Sequence, residues 1–180
     1  NMIMMSFIAM GTVGVLWVLF GYSMAFGDSI GGVIGNPLQF AGLSGLMSKD
    51  ALVGTIPSLA FVAFQAAFAI IAVALISGSI ADRTSFKAWT VFTILWSILV
   101  YFPAAHWVFA FDGATAEHGG WIANTIKAID FAGGTAIHIN AGAAGLALAI
   151  VLGRRVDFLI KPMRPHNMTL VMLGAGMLWF

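Results

Sequence analysis

Five stretches of this chain are almost wholly apolar, and polar segments separate them: 3–26, 52–80, 88–110, 131–152 and 168–180. A helix rises 1.5 Å per residue, so the first four are long enough to cross a hydrocarbon layer about 30 Å thick, and the fifth is too short. Inside a lipid bilayer every backbone N–H and C=O must be satisfied within its own segment or barrel, and unbroken apolar runs of this length do that as helices. The pattern therefore predicts an all-α fold: a polytopic membrane helical bundle with four complete transmembrane helices and the start of a fifth. The chain opens and closes inside apolar runs, which is the pattern expected of a piece of a longer multi-pass protein, with one partial transmembrane domain over 1–180.

The connections carry their own signals. Residues 27–50 are rich in Gly and contain Pro37, which predicts an irregular surface segment with a short interfacial helix around 38–46. Pro57 falls in or near the first turn of the second span, where a missing N–H costs little. Asp82 to Lys87 is short enough to be a tight hairpin, and 111–129 is a polar connection with Asp112, Glu117, His118 and Lys127. Lys and Arg number two in 82–87 and four in 154–167, against one each in 27–50 and 111–129. The excess of positive charge on the cytoplasmic side then places 82–87 and 154–167 in the cytoplasm, and all four connections agree with that one threading.

Composition strengthens the membrane assignment: 61% of residues are hydrophobic and only 8% charged, with a mean hydropathy of +0.99. The eight Lys and Arg are scattered among loops, so nothing supports nucleic-acid binding. Without cysteine there is no disulfide frame, no thiolate nucleophile and no Cys-based metal site.

The fourth span is the one that carries chemistry. Asp130, Gly134, His138, Gly142, Gly145, Ala149 and Gly153 recur at spacings of three and four, so they form one stripe, nearly bare of side-chain bulk, along a helix. Small residues in such a row let a neighbouring backbone come close, and a polar residue on it faces protein or a cavity rather than acyl chains. His138 is thus expected to point inward, as a functional group or as a donor to a neighbouring helix's carbonyl. Asp130 precedes the span where an N-cap sits, and it can serve as a cap, as a functional carboxylate, or as both.

An outer carboxylate, aromatic rings and a mid-depth histidine suit a small cation or its neutral form. Carrying an unpaired ammonium-type ion through an apolar interior costs several kcal/mol even after relaxation. Removing its proton costs only about 3 kcal/mol when its pKa lies roughly two units above pH 7. Deprotonation at the entrance is the cheaper route, and a neutral imidazole can then hydrogen-bond the amine and relay the proton.

The segment Asp130-Phe-Ala-Gly-Gly-Thr, His138-Ile-Asn and the run to Gly153-Arg-Arg155 closely resemble the signature of the ammonium transporter family, the Amt, Mep and Rhesus proteins. The resemblance is to the bacterial Amt type. It extends to Trp17–Gly27, Phe61–Phe68 running on to Ile80-Ala-Asp-Arg83, Phe102-Pro-Ala-Ala-His106-Trp107 and Arg164-Pro-His-Asn167, in family order. It implies about the second to the sixth of eleven helices, in a homotrimer whose subunits each hold a pore. By the same resemblance His138 is the first of twin pore histidines, and Phe68 is one of the phenylalanines closing the outer mouth. A lone ring at helical spacing is otherwise ordinary packing. Asp130 organises the external recruitment site, with Ala132 beside it. Phe109 stands where the family often has a tryptophan, and a phenyl face holds a cation less strongly than indole. Trp121 follows in the longer insert, and Gln65 fits a structural interhelical bond.

The function implied is transmembrane transport of ammonium or ammonia, with methylammonium as analogue: NH4+ is recruited at the external mouth, deprotonated, and passed through a histidine-lined hydrophobic pore. The protein is then not an enzyme, with no cofactor and no metal expected. It sits in the cell membrane as a multi-pass protein, with a PII-type regulatory protein as a possible partner on its cytoplasmic face. Alternatives are a Rhesus-like ammonia gas channel or an ammonium sensor on the same scaffold. A membrane haem redox protein using His106 and His138 is a third, disfavoured because the threading sets the two at different depths.

Overall fold

A computed structural model describes residues 2–156, 158–162 and 164–179. Four helices are long and apolar enough to cross a membrane: α1 (Met2–Phe26), α2 (Ser58–Ile80), α3 (Phe86–Phe109) and α4 (Gly134–Leu152). A fifth, α5 (Met168–Trp179), is apolar but shorter, and residue 180 lies outside the described residues. The described residues also form two small antiparallel hairpins, β1 (Ser29–Ile30) with β2 (Ile34–Gly35) and β3 (Leu52–Val53) with β4 (Ile56–Pro57), and a π turn over Ile122–Ile126.

The second apolar stretch does not helix from its beginning. Residues 52–57 form the β3–β4 hairpin, turning at Gly54 (φ 62°) and closed by the Ser58 N–H donating to Ala51 O at 2.9 Å. Helix α2 starts only after Pro57, whose extended backbone (φ −56°, ψ 133°) leads into it. Likewise the interfacial helix expected around 38–46 shrinks to a single tight turn, Ala41–Leu43. Gly42, Leu43 and Gly45 all take positive φ there, which no α-helix tolerates in succession.

Three of the spanning helices widen locally into π turns, over Trp17–Gly21, Ser97–Tyr101 and Gly134–Ile139. In α3 the cause is Pro103, which lacks the N–H and would crowd the carbonyl four residues back, so the turn before it expands. The widened part of α1 meets this region directly: a Cβ on Gly21 would lie 2.5 Å from Cζ of Phe102. Only glycine permits that approach.

Helix α1 is bound to both α2 and α3 by polar groups buried in an apolar core. The Trp17 indole donates to Val62 O at 3.1 Å, the Trp89 indole donates to Met5 O at 2.8 Å, and the Thr12 and Thr93 hydroxyls lie 3.2 Å apart. Around them pack Tyr22, Phe26 and Phe102, while α4 adds Ile137, Ala141, Ala144 and Leu148. Helix α5 buries no residue.

The connections sort to two ends. At one, the Ser29 N–H donates to His118 O at 2.8 Å, and the Asp28 carboxylate accepts from the Glu117 N–H and from the Gln39 amide, so 27–57 and 110–133 pack as one cap. At the other, the Arg83 guanidinium donates to Gly153 O and Ser79 O, joining the ends of α2 and α4. Helices α2 and α4 therefore run parallel, from the capped end to the basic one.

Candidate functional site

The start of α4 is built on a carboxylate. Gly133 takes φ 84°, and a Cβ there would overlap the Ile137 side chain, so only glycine lets the chain turn in. Asp130 Oδ2 then accepts from the N–H groups of Thr135 at 2.8 Å and Ala136 at 3.0 Å, satisfying two orphan donors of the helix. Gly133 O accepts from both Ile137 N–H and His138 N–H, at 3.0 and 2.9 Å, and that doubled acceptance is the π turn. Asp130 thus caps the helix with one oxygen. Its other oxygen, Oδ1, is buried and has no hydrogen-bond partner.

Asp130 is among the residues that line a cavity of about 260 Å³ under the capped end. Helix α2 contributes Phe61, Phe64, Gln65 and Phe68, α3 ends in it with Phe109, and the two connections add Val53, Phe111, Thr115 and 130–133. Phe68 is half-buried and meets Phe64 edge-on at 4.8 Å between ring centroids. The structure so brings Phe68, Phe109, Asp130 and Ala132 to one place, an aromatic chamber containing one carboxylate. Trp121 is not among its walls; it packs against Trp107 with ring centroids 6.1 Å apart.

His138 lies elsewhere. It opens onto a second groove, of about 390 Å³, between α2 (Leu75, Ile76, Ser79) and α4 (Ala141, Gly142, Gly145). Its side chain is exposed in this chain, on the side of the groove that faces α2, and among the described residues its ring has no hydrogen-bond partner. Ala149 and Gly153 line a third opening with Arg83, at the basic end. The close approach of α4 to α2 is made within the small-residue stripe. Gly145 comes nearest, with Ser79 Cβ 3.4 Å from an added Cβ, whereas Gly142 has nothing within 4 Å. Openings follow one another along the α2–α4 interface from Asp130 to His138 to Arg83.

His106 is fully buried, with Nδ1 at 3.2 Å from Ala25 O. It shares no cavity with His138, and among the described residues no group of three His, Cys, Asp or Glu is placed to hold a metal. The sequence left unrecognised Phe61, Phe64, Phe111 and Thr115 as cavity walls, and Asp28 as the tie of the outer loops. Phenylalanines are plentiful in this chain, and Asp28 and Thr115 are single polar residues in loops, so no spacing marks any of them.

A family model described as Ammonium Transporter Family matches residues 1–180. The chain is 60% identical to a protein named Ammonium transporter from Mycobacterium tuberculosis (strain ATCC 25618 / H37Rv), over all of this chain and 41% of that protein. It is 49% identical to an Ammonium transporter of Aquifex aeolicus (strain VF5), over all of this chain and 40% of the relative. Among solved structures it resembles Saccharomyces cerevisiae Mep2 with TM-score 0.82 and 31% identity, covering 99% of this chain and 40% of that one. It also resembles a structure titled Sensor Amt Protein, with TM-score 0.81 and 28% identity over 96% of this chain and 42% of that one. The chain thus spans about two fifths of the length of these relatives.

Proposed function

The chain belongs to the ammonium transporter family, an integral multi-pass membrane protein, and from that premise we propose that the whole protein moves ammonium across the membrane through the α2–α4 interface. The observation that carries this reading is the cavity in which Asp130, its one carboxylate, is set among Phe61, Phe64, Phe68, Phe109 and Phe111. Such a chamber attracts a small N–H cation by charge and by ring faces, and it offers little to an anion.

Bound there, NH4+ gives up its proton to water at the mouth. The cost is about 3 kcal/mol, below that of taking the ion into the apolar interface. Neutral NH3 passes Phe68, which must swing aside, and reaches His138, whose ring N–H donates to the amine lone pair. Phe109 in place of an indole makes the cation–π part of recruitment weaker. The same reading has the basic end of α2 and α4 in the cytoplasm, a homotrimer as the assembly, and a PII-type regulator on the cytoplasmic face. The activity is transport, with no bond made or broken beyond the proton's.

The test is uptake of methylammonium by the whole protein in proteoliposomes. Saturable uptake that unlabelled ammonium competes away supports the proposal; its absence, with the protein correctly assembled, overturns it. The likeness to the structure titled Sensor Amt Protein favours a second reading, in which the same chamber binds ammonium without net flux. Binding without uptake in the same vesicles would select it.

A further inference from the structure

We infer that the Ser79 hydroxyl is a second contact for the passing amine, beyond His138, accepting an N–H hydrogen bond from uncharged ammonia on its way to the basic end. This deepens the transport reading and rests on it. Ser79 lies in the tight turn Ser77–Ile80 that ends α2, and it lines the same groove as His138. Of the seven residues around that groove, only those two have polar side chains.

Two sets of distances fix where the hydroxyl stands. Its hydrogen goes to Ile76 O, at 2.8 Å from Oγ. A Cβ added to Gly145 would lie 3.4 Å from Ser79 Cβ and 3.6 Å from Oγ, so the side chain stands opposite bare backbone on α4. Ser79 and Gly145 are both half-buried, which leaves this spot unsealed. With its hydrogen committed, Oγ is an acceptor only, and no donor among the described residues occupies its lone pairs.

Gly145 follows His138 by seven residues, about two turns or roughly 10 Å along α4. An amine leaving the imidazole therefore enters a stretch whose other walls are aliphatic, and an N–H buried there without an acceptor is penalised. Ammonia brings one lone pair and three N–H groups. The His138 N–H meets the lone pair, and Ser79 Oγ meets an N–H. The Arg83 guanidinium donates to Ser79 O and Gly153 O, so a fixed positive charge stands one turn further on. It opposes ammonium at Ser79. The molecule held there is neutral, and it is protonated again only in the water beyond Arg83.

In proteoliposomes of the whole protein, Ser79→Ala removes the acceptor and leaves the outer cavity untouched. Maximal methylammonium uptake should fall about fivefold, the contribution of one hydrogen bond between neutral groups, with the half-saturating concentration within about twofold. Melting in detergent should stay at the parental value or above, because alanine is the better helix former. A serine kept for structure alone would instead lower melting and leave uptake per assembled protein unchanged, which overturns the inference. Ser79→Thr and Ser79→Val share one shape and differ in the hydroxyl, so Ser79→Thr should exceed Ser79→Val about fivefold even where the added methyl group slows both. Equal transport by these two overturns the inference, and the pair decides it should Ser79→Ala fail to assemble. An active parent matched by Ser79→Ala defeats the Ser79 contact alone, whereas a parent that moves no methylammonium overturns the transport reading and this one together.

Discussion

Asp130 and Thr135 share a hydrogen bond that uses only half of the carboxylate: Oδ2 accepts from the Thr135 N–H at 2.8 Å, while Oδ1 is buried and unpartnered. The backbone of α4 is thereby fastened to a residue that also lines the outer cavity. Cap and cavity wall are one residue.

Asp130→Asn should separate them. The amide keeps one oxygen to accept from Thr135 and Ala136 and removes the charge from a residue that lines the cavity, so the protein should assemble yet lose most methylammonium uptake. Asp130→Ala loses the cap as well, at a cost of about 1 kcal/mol of stability. Thermal melting in detergent alongside uptake checks this. If Asp130→Asn transports like the parent, the charge of Asp130 does nothing.

His138→Ala should leave assembly and melting unchanged, because the ring makes no hydrogen bond among the described residues and lines an open groove. Transport should be abolished or its ion character altered, read as the ratio of current to methylammonium uptake. Parental values of both would end the role of His138 as the hydrogen-bond donor to the passing amine.

Phe109→Trp should lower the half-saturating concentration of methylammonium about threefold, since an indole face holds a cation more strongly than a phenyl face, by something under 1 kcal/mol at a partly open site. The measurement is a concentration series of uptake at fixed pH. An unchanged or weaker affinity would mean that the ring face at 109 does not meet the ion.

Gly21→Ala should destabilise by about 1–3 kcal/mol, because its Cβ would press on the Phe102 ring and force α1 and α3 apart. Gly14→Ala, with nothing within 4 Å of its Cβ, should not. Equal melting temperatures for the two variants would refute the packing argument.

The helices that cross the membrane were legible from the chain alone. In lipid, each helix must satisfy its own backbone, so a long apolar run becomes a spanning helix whatever its neighbours do. The ends were less so. Residues 52–57 are apolar enough to belong to a span, yet Gly54 and the extended Pro57 fold them into a hairpin, a matter of local dihedrals that hydropathy does not carry. Asp130 was recognisable by its place ahead of an apolar run, and its double use follows from that place.

What lay beyond the sequence is the chamber. Its walls come from α2, from the last turn of α3 and from two connections that the Glu117 N–H donating to Asp28 and the Ser29 N–H donating to His118 O hold together. Nothing periodic distinguishes Phe64 or Thr115 from any other phenylalanine or loop threonine. The depth of His138, likewise, follows from its position in the run, but the side it faces depends on the π turn at Gly134–Ile139 and on how α4 leans on α2. Span and cap are one-dimensional properties of a chain in lipid, whereas a cavity is a relation among segments far apart in sequence, and packing alone sets it.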